Sequence, residues 1–288
     1  MILAVLAMSA LAMVSCKKDN ENPIDDGPFG GGATDYLGLC FTAEEACSTV
    51  SMSNCVSNFE YLIPGGEWTT FTPGSTTITL AEVGDKVYFS GDNANGINGC
   101  QFVMTGKIAA SGNIMSLIDS TCSATAIPSG QCFANLFKDC KSLTSAPELP
   151  ATSLTALCYS GMFYGCTNLT SAPELPATTL ADGCYGQMFS GCTSLKEIKV
   201  NFTDWKIIDN CICILFYGID CYLPLPEYTP LWVQGVPGGG VFRCPAALPH
   251  VYSQQLCEIS VTIDHTYQTI VSSFLGSAIP DGWRIETF

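Results

Sequence analysis

Cys158-Tyr159-Ser160-Gly161-Met162-Phe163-Tyr164-Gly165-Cys166-Thr167-Asn168-Leu169 returns 26 residues later as Cys184-Tyr185-Gly186-Gln187-Met188-Phe189-Ser190-Gly191-Cys192-Thr193-Ser194-Leu195. The same frame is already set by Cys132, Leu136, Phe137, Cys140 and Leu143, and Leu117 falls one period upstream. Between these segments Ser145-Ala146-Pro147-Glu148-Leu149-Pro150-Ala151-Thr152 recurs at Ser171 to Thr178. Three units in constant register therefore run from Ile127 to Asp204. A unit this short cannot bury its apolar face alone, so neighbouring units are expected to stack and share one core.

The period lies within the leucine-rich-repeat range. A short strand is expected at each Leu-Thr-Ser-Ala step, ended by Pro147 or Pro173, because proline suits the end or edge of a strand. The Cys-Tyr-x-x-Met-Phe-x-Gly-Cys-Thr segment is expected on the opposite side as turns or a short helix. Side chains alternate along a strand. If the leucines point inward, Thr144, Ala146 and Glu148 face outward, followed by Thr170, Ala172, Glu174 and then Lys196, Ile198, Val200. From this face Thr144, Glu148, Thr170, Glu174 and Lys196 are the candidate ligand-binding residues. Phe133, Tyr159 and Tyr185 form an aromatic stripe expected to be core.

The segments Met162 to Leu169 and Met188 to Leu195 resemble the BspA-like family of bacterial surface leucine-rich repeats. The resemblance covers about 90 residues. It implies surface display, adhesion and binding of proteins or glycans, and it brings no fixed catalytic residues. The β-rich segment before the repeats and Phe242-Arg243-Cys244-Pro245 after them look like common companions of such repeats.

Upstream, Ile2 to Val14 is an uncharged apolar run, too short to span a bilayer but suited to the core of a signal peptide. It ends in Met13-Val14-Ser15-Cys16, which resembles a bacterial lipobox and implies lipidation of Cys16. Several acyl chains on one cysteine anchor stably where a single chain does not. Residues 17–34 read as a Gly-rich flexible linker. Residues 35–111 read as a small β-sandwich: Ser75 to Leu80 alternates polar and apolar, Lys86 to Phe89 follows a turn, and Asn95-Gly96 with Asn98-Gly99 signals a hairpin leading into Gln101 to Met104. Residues 205–288 depart from the repeat and read as an irregular cap on its end. The expected fold is thus mainly β with short helical turns. It has residues 1–15 as signal, 16–34 as linker, 35–111 as a β-sandwich-like domain, 112–204 as a leucine-rich-repeat solenoid and 205–288 as cap.

The composition narrows the function classes. Acidic residues number 26 against 11 basic, for a formal net charge of -15. Nucleic acid is not an expected partner, because phosphate neutralisation needs clustered Lys and Arg. The histidines, His250 and His265, have no partner at ligand spacing. Cys211, Cys213 and Cys221 lack the second pair that zinc sites use. No metal, cofactor or enzymatic activity is expected. Export would place the 17 cysteines in a compartment that permits disulfides. For the repeat cysteines two arrangements stay open: stacked thiols packed as small apolar groups, or a disulfide between Cys132 and Cys140 and between their equivalents. Cys40, Cys47, Cys55, Cys100 and Cys122 cannot be paired from the sequence.

The expectation is a surface lipoprotein of the outer membrane that binds host or neighbouring-cell proteins or glycans and meets the membrane through its lipid anchor alone. The alternative is a structural lipoprotein that holds a partner complex at the membrane.

Overall fold

The computed structural model describes residues 36–53, 55–203, 233–248, 279–280 and 282–288, together with the backbone of four short strands between 252 and 276. Cys16, the linker, His250, His265, Cys211, Cys213 and Cys221 lie outside the described residues.

The first eight strands are β1 (Cys40–Ala43), β2 (Ser48–Met52), β3 (Phe59–Leu62), β4 (Thr69–Phe71), β5 (Thr77–Leu80), β6 (Lys86–Ser90), β7 (Phe102–Thr105) and β8 (Ile108–Ser111). The repeats contribute β9 (Leu143–Ser145) and β10 (Glu197–Lys199), and β11 (Val241–Cys244) follows. The remaining strands are β12 (Tyr252–Ser253), β13 (Cys257–Ile263), β14 (Thr266–Ser272), β15 (Leu275–Gly276) and β16 (Arg284–Thr287). Two sheets make up the N-terminal part, one in the order β4-β3-β6-β1-β8-β9 and the other β5-β2-β7. Thr77-Ile78-Thr79-Leu80 forms a strand because its alternation buries Ile78 and Leu80 and exposes both threonines.

The Asn-Gly turns do not close a hairpin. Strand β6 pairs with β1 and β3, whereas β7 pairs with β2. The turns at Gly96 and Gly99, both at positive φ, instead carry the chain from one sheet to the other. Asn93 fastens that crossing by donating to the carbonyls of Asn58 (2.9 Å) and Leu117 (2.8 Å) and accepting from the Asn58 amide. Ser116, fully buried, accepts from the Leu39 amide and donates to the Phe89 carbonyl.

Strand β8 is the template for the repeats. It pairs antiparallel with β1 on one side and parallel with β9 on the other. Phe102 donates its amide to Leu136 at 2.8 Å and Ile108 to Ser142 at 2.9 Å. Buried side chains of the N-terminal strands and of the repeats belong to one core, joined by the stacked rings of Phe102 and Phe137.

The repeats stack, but not as the leucine-rich-repeat solenoid expected from their period. Two observations overturn it. No continuous parallel sheet runs down the units: β9 belongs to the N-terminal sheet, β10 belongs to a separate sheet β10-β11-β16, and residues 169–171 between them form no strand. The opposite side is not helical either. A one-turn 3₁₀ segment, Ile114–Leu117, precedes the repeats, and the segments after Gly130, Ala156 and Asp182 are runs of turns.

The cause is a division of backbone donors. Gln131, Phe133, Asn135, Phe137 and Asp139 donate their amides to Ala156, Cys158, Ser160, Met162 and Tyr164 of the next unit, at 2.7 to 3.0 Å. The residues between them close turns within their own unit, as in Ala134 to Gln131 and Cys140 to Phe137. An α-helix would require every amide to bond within the segment. Every fourth residue is also left-handed: Gln131, Asn135 and Asp139, then Leu157, Gly161 and Gly165, then Gly183, Gln187 and Gly191. A non-glycine residue there costs about 1–2 kcal/mol, and the interlayer hydrogen bonds hold it in place. At Gly165 a Cβ would collide with the Asp139 carboxylate of the layer before, so this position must be glycine once Asp139 stands above it.

Equivalent side chains therefore lie over one another. Phe102, Phe137, Phe163 and Phe189 form a column with centroids 5.3 to 5.9 Å apart and ring planes within 10° of parallel. Phe133, Tyr159 and Tyr185 form a second column, closed by the tilted ring of Phe202. The centroid separations exceed the ~4.8 Å between hydrogen-bonded strands, so the rings are offset, the arrangement that aromatic quadrupoles prefer. The aromatic stripe is core, as expected from the sequence.

The stack continues past residue 204. Gly191 donates its amide to Gln234 at 2.6 Å, and β11 and β16 add two more parallel strands below β10.

One atom in the core is unfavourable. The Tyr159 hydroxyl is buried without a hydrogen-bond partner, while the ring above it in the column is Phe133. An unpaired buried hydroxyl costs about 1–3 kcal/mol. Tyr159→Phe is expected to raise unfolding free energy by roughly 1 kcal/mol in urea titration, with the aromatic column kept. Phe163→Ala, which empties the centre of the other column, is expected to cost about 3–5 kcal/mol.

Candidate binding face and the buried thiols

The outward face is built by backbone pairing between layers. Thr170 donates its amide to the Thr144 carbonyl (3.4 Å), Lys196 to Thr170 (3.0 Å) and Val241 to Lys196 (2.8 Å). Thr144, Thr170 and Lys196 thus stand in one column, as expected. Thr170 and Lys196 are exposed, whereas Thr144 is half-buried with its hydroxyl donated to the Ile108 carbonyl at 3.2 Å. Glu148 and Glu174 are both exposed. Glu148 is fixed by its own backbone, which donates to Gly112 and accepts from Ile114.

In the third unit the register differs. Ile198 and Val200, expected to face outward, are fully buried. Leu175 bridges to Val200, and Leu175 donates its amide to Lys199, so the strands pair one residue short of the repeat period. The physical reason lies in the sequence. The first two units carry Ala-Pro-Glu-Leu with the proline buried; the third has Ile198-Lys199-Val200, which alternates apolar, polar, apolar and buries both apolar residues.

This slip brings out residues that the repeat alignment missed. Lys199 reaches Glu174 at 2.9 Å, and Asn201 donates to the same carboxylate at 3.2 Å. The Lys199 contact, with help from Asn201, lowers the Glu174 carboxyl below its ordinary range. Below, Arg243 contacts Glu197 and also Glu286, the latter at 2.9 Å, and Arg284 contacts Glu286 at 2.6 Å. These pairs are substantially exposed, so each adds at most about 1 kcal/mol; their effect is to hold side chains in fixed positions. The alternation from Ile198 to Val200 was the signal in the sequence that could have located Lys199.

The repeat cysteines are stacked thiols. Cys132, Cys158 and Cys184 form one column and Cys140, Cys166 and Cys192 another, all buried and none disulfide-bonded. In the second column each thiol donates to a phenylalanine carbonyl one layer up: Cys140 to Phe102 (3.2 Å), Cys166 to Phe137 (3.0 Å) and Cys192 to Phe163 (3.0 Å). Burial pushes Cys132 and Cys184 up to about 11 and Cys140, Cys158 and Cys192 to about 12, with Cys166 raised further. The thiolate is the reactive form, so these groups are held inert. By contrast Cys55 and Cys100 form a disulfide that ties the segment after β2 to the segment before β7.

No family model, curated protein or solved structure matches the chain.

Three outcomes follow for the cysteines. In the folded protein, iodoacetamide at pH 8.5 is expected to leave the six column thiols unmodified, whereas in denaturant all six react; mass spectrometry reads the difference. Because folding raises these thiol pKa values, the unfolded chain loses its protons first as pH rises above about 9. Stability is therefore fully present below that pH and is expected to fall between about 9 and 12, by up to about 1.4 kcal/mol per pH unit for each ionising thiol. Replacing Cys55 and Cys100 by serine opens a loop with a sequence separation of 45. It is expected to cost about 4 kcal/mol by chain entropy, read as a lower midpoint in urea.

Proposed function

We propose that this chain is an exported, lipid-anchored surface protein whose stacked repeats present a binding face for proteins or glycans. The observation that carries the proposal is a set of outward polar residues, Thr170 stacked on Lys196 by backbone bonding between layers and Glu174 ion-paired to Lys199 of the next layer, above a close-packed aromatic core. A rigid backbone with projecting polar groups loses little entropy when it orders a ligand, which is the benefit of preorganisation. The resemblance of the repeat to bacterial surface proteins supports the same role, as does the lipobox-like Met13 to Cys16 at the start of the chain. The Cys55–Cys100 disulfide supports an oxidising compartment, with the outer membrane as the proposed site of anchoring. The partner is proposed to be a protein or glycan of the host or of a neighbouring cell.

A second reading rests on a different observation. The charges of the face largely neutralise one another, with Glu174 on Lys199 and Arg243 shared between Glu197 and Glu286. Such a face suits a structural lipoprotein that holds a fixed partner at the membrane.

The test presents the chain to matrix proteins, mucins and a glycan array, alongside Glu148→Lys/Glu174→Lys. The double variant reverses charge at two exposed positions and sets a lysine beside Lys199 in place of Glu174. Saturable binding that weakens at least about tenfold in the variant, roughly the 1.4 kcal/mol expected of lost and repulsive charge contacts, supports the face as the site. Binding unchanged in the variant removes the face from consideration. No binding by a folded protein across the panel favours the partner-holding role.

A further inference from the structure

We infer that the end of the stack is an interface for a second copy of this chain, formed by antiparallel pairing of β16 with β16 of the copy. Strand β16 is the outer strand of the sheet β10-β11-β16, and among the described residues nothing pairs with its far side. Arg284 donates its amide to Gly240 and Phe288 donates to Cys244, both toward β11. Backbone groups alternate in direction along a strand, so the amides and carbonyls of Ile285 and Thr287 point to the open edge.

The core is also open at this end. Ile198, Phe242 and Ile285 are register partners on successive strands. The first two are fully buried, but Ile285 is 36% exposed, and among the described residues no further layer covers it.

The occupant follows from the sequence of the strand. Arg284-Ile285-Glu286 is self-complementary when read antiparallel about Ile285. A two-fold axis through Ile285 sets Arg284 of each copy opposite Glu286 of the other. It also sets the two Ile285 residues opposite each other as a pair that exchanges both backbone hydrogen bonds. Arg284 is the most exposed member of the outward ion pairs, at 70%, so it is available to a second carboxylate. The two apolar rows then join into one, and the two-fold arrangement uses up the β16 edge of both copies, so this pairing does not propagate. A strand-edge contact is smaller than the ~1,600 Å² of a standard interface, so association in the micromolar range is expected. This inference is independent of the ligand proposed above.

Sedimentation equilibrium of the full chain in neutrally buoyant detergent tests it. The expected result is a reversible monomer–dimer equilibrium. Arg284→Glu places like charges opposite one another twice per dimer, and is expected to weaken association at least about tenfold. Thr287→Pro removes an amide from the open edge without touching a bond to β11, and is expected to weaken it comparably. Both variants are checked for an unchanged circular dichroism spectrum. A monomer at all concentrations, a dimer insensitive to both variants, or growth beyond a dimer would overturn the proposal.

Discussion

Everything in the repeat part depends on how each layer shares its backbone amides. Alternate residues from Gln131 to Asp139 bond downward to the next layer, and the residues between them close turns at home. A helix would use every donor internally and leave nothing to hold the layers together. A plain strand would bond sideways at every other residue but could not fold the chain so tightly within one layer. The turn run does both, at the expense of a left-handed residue at every fourth position. Glycine meets that need at several of these sites, while Gln131, Asn135, Asp139 and Leu157 accept the strain because the interlayer bonds fix them.

This constraint explains why the interior repeats so strictly. Once the layers are pinned, each inward side chain sits over its equivalent and must pack against a copy of itself. Phenylalanine over phenylalanine, cysteine over cysteine and methionine near methionine are solutions in which one good contact is reused in every layer. The two ends need different solutions. At the start, β8 provides a ready strand for β9, and Phe102 heads the column that Phe137 continues. Lower down, Phe202 closes the other column, while β11 and β16 extend the sheet begun by β10.

The period, the columns and the identity of the core were legible because they are one-dimensional facts: constant spacing of apolar residues translates directly into stacking. The strands at Thr77 to Leu80 and Lys86 to Ser90 were legible from alternation and turn residues. What the sequence hid was pairing. Nothing in Asn95-Gly96 distinguishes a hairpin from a crossing between sheets, since that choice was made by β1 and β3, which occupy both edges of β6. For Cys158 to Leu169 the sequence left turns and a short helix both open, because methionine, phenylalanine and small residues suit a turn run as well as a helix, and the structure takes the turns. Only the donors' destinations separate the two. Of the face, Thr170, Lys196 and Glu174 were found from the leucine frame. Lys199 was not, because the frame slips by one residue where Ile198-Lys199-Val200 replaces Ala-Pro-Glu.

The thiols and the disulfide together bear on how the chain must fold if it is exported. Among the described residues one pair, Cys55 and Cys100, is bonded, while six thiols in the columns are not. Burial raises each column thiol well above its ordinary value, so in the folded state almost none exists as thiolate. In the unfolded chain no such protection exists, and the same cysteines are open to mispairing with one another and with Cys55 or Cys100. Layer formation therefore has to outrun oxidation. The architecture favours that order: within a turn run the bonds span three residues, and a layer meets its neighbour one repeat away, so closure costs little loop entropy.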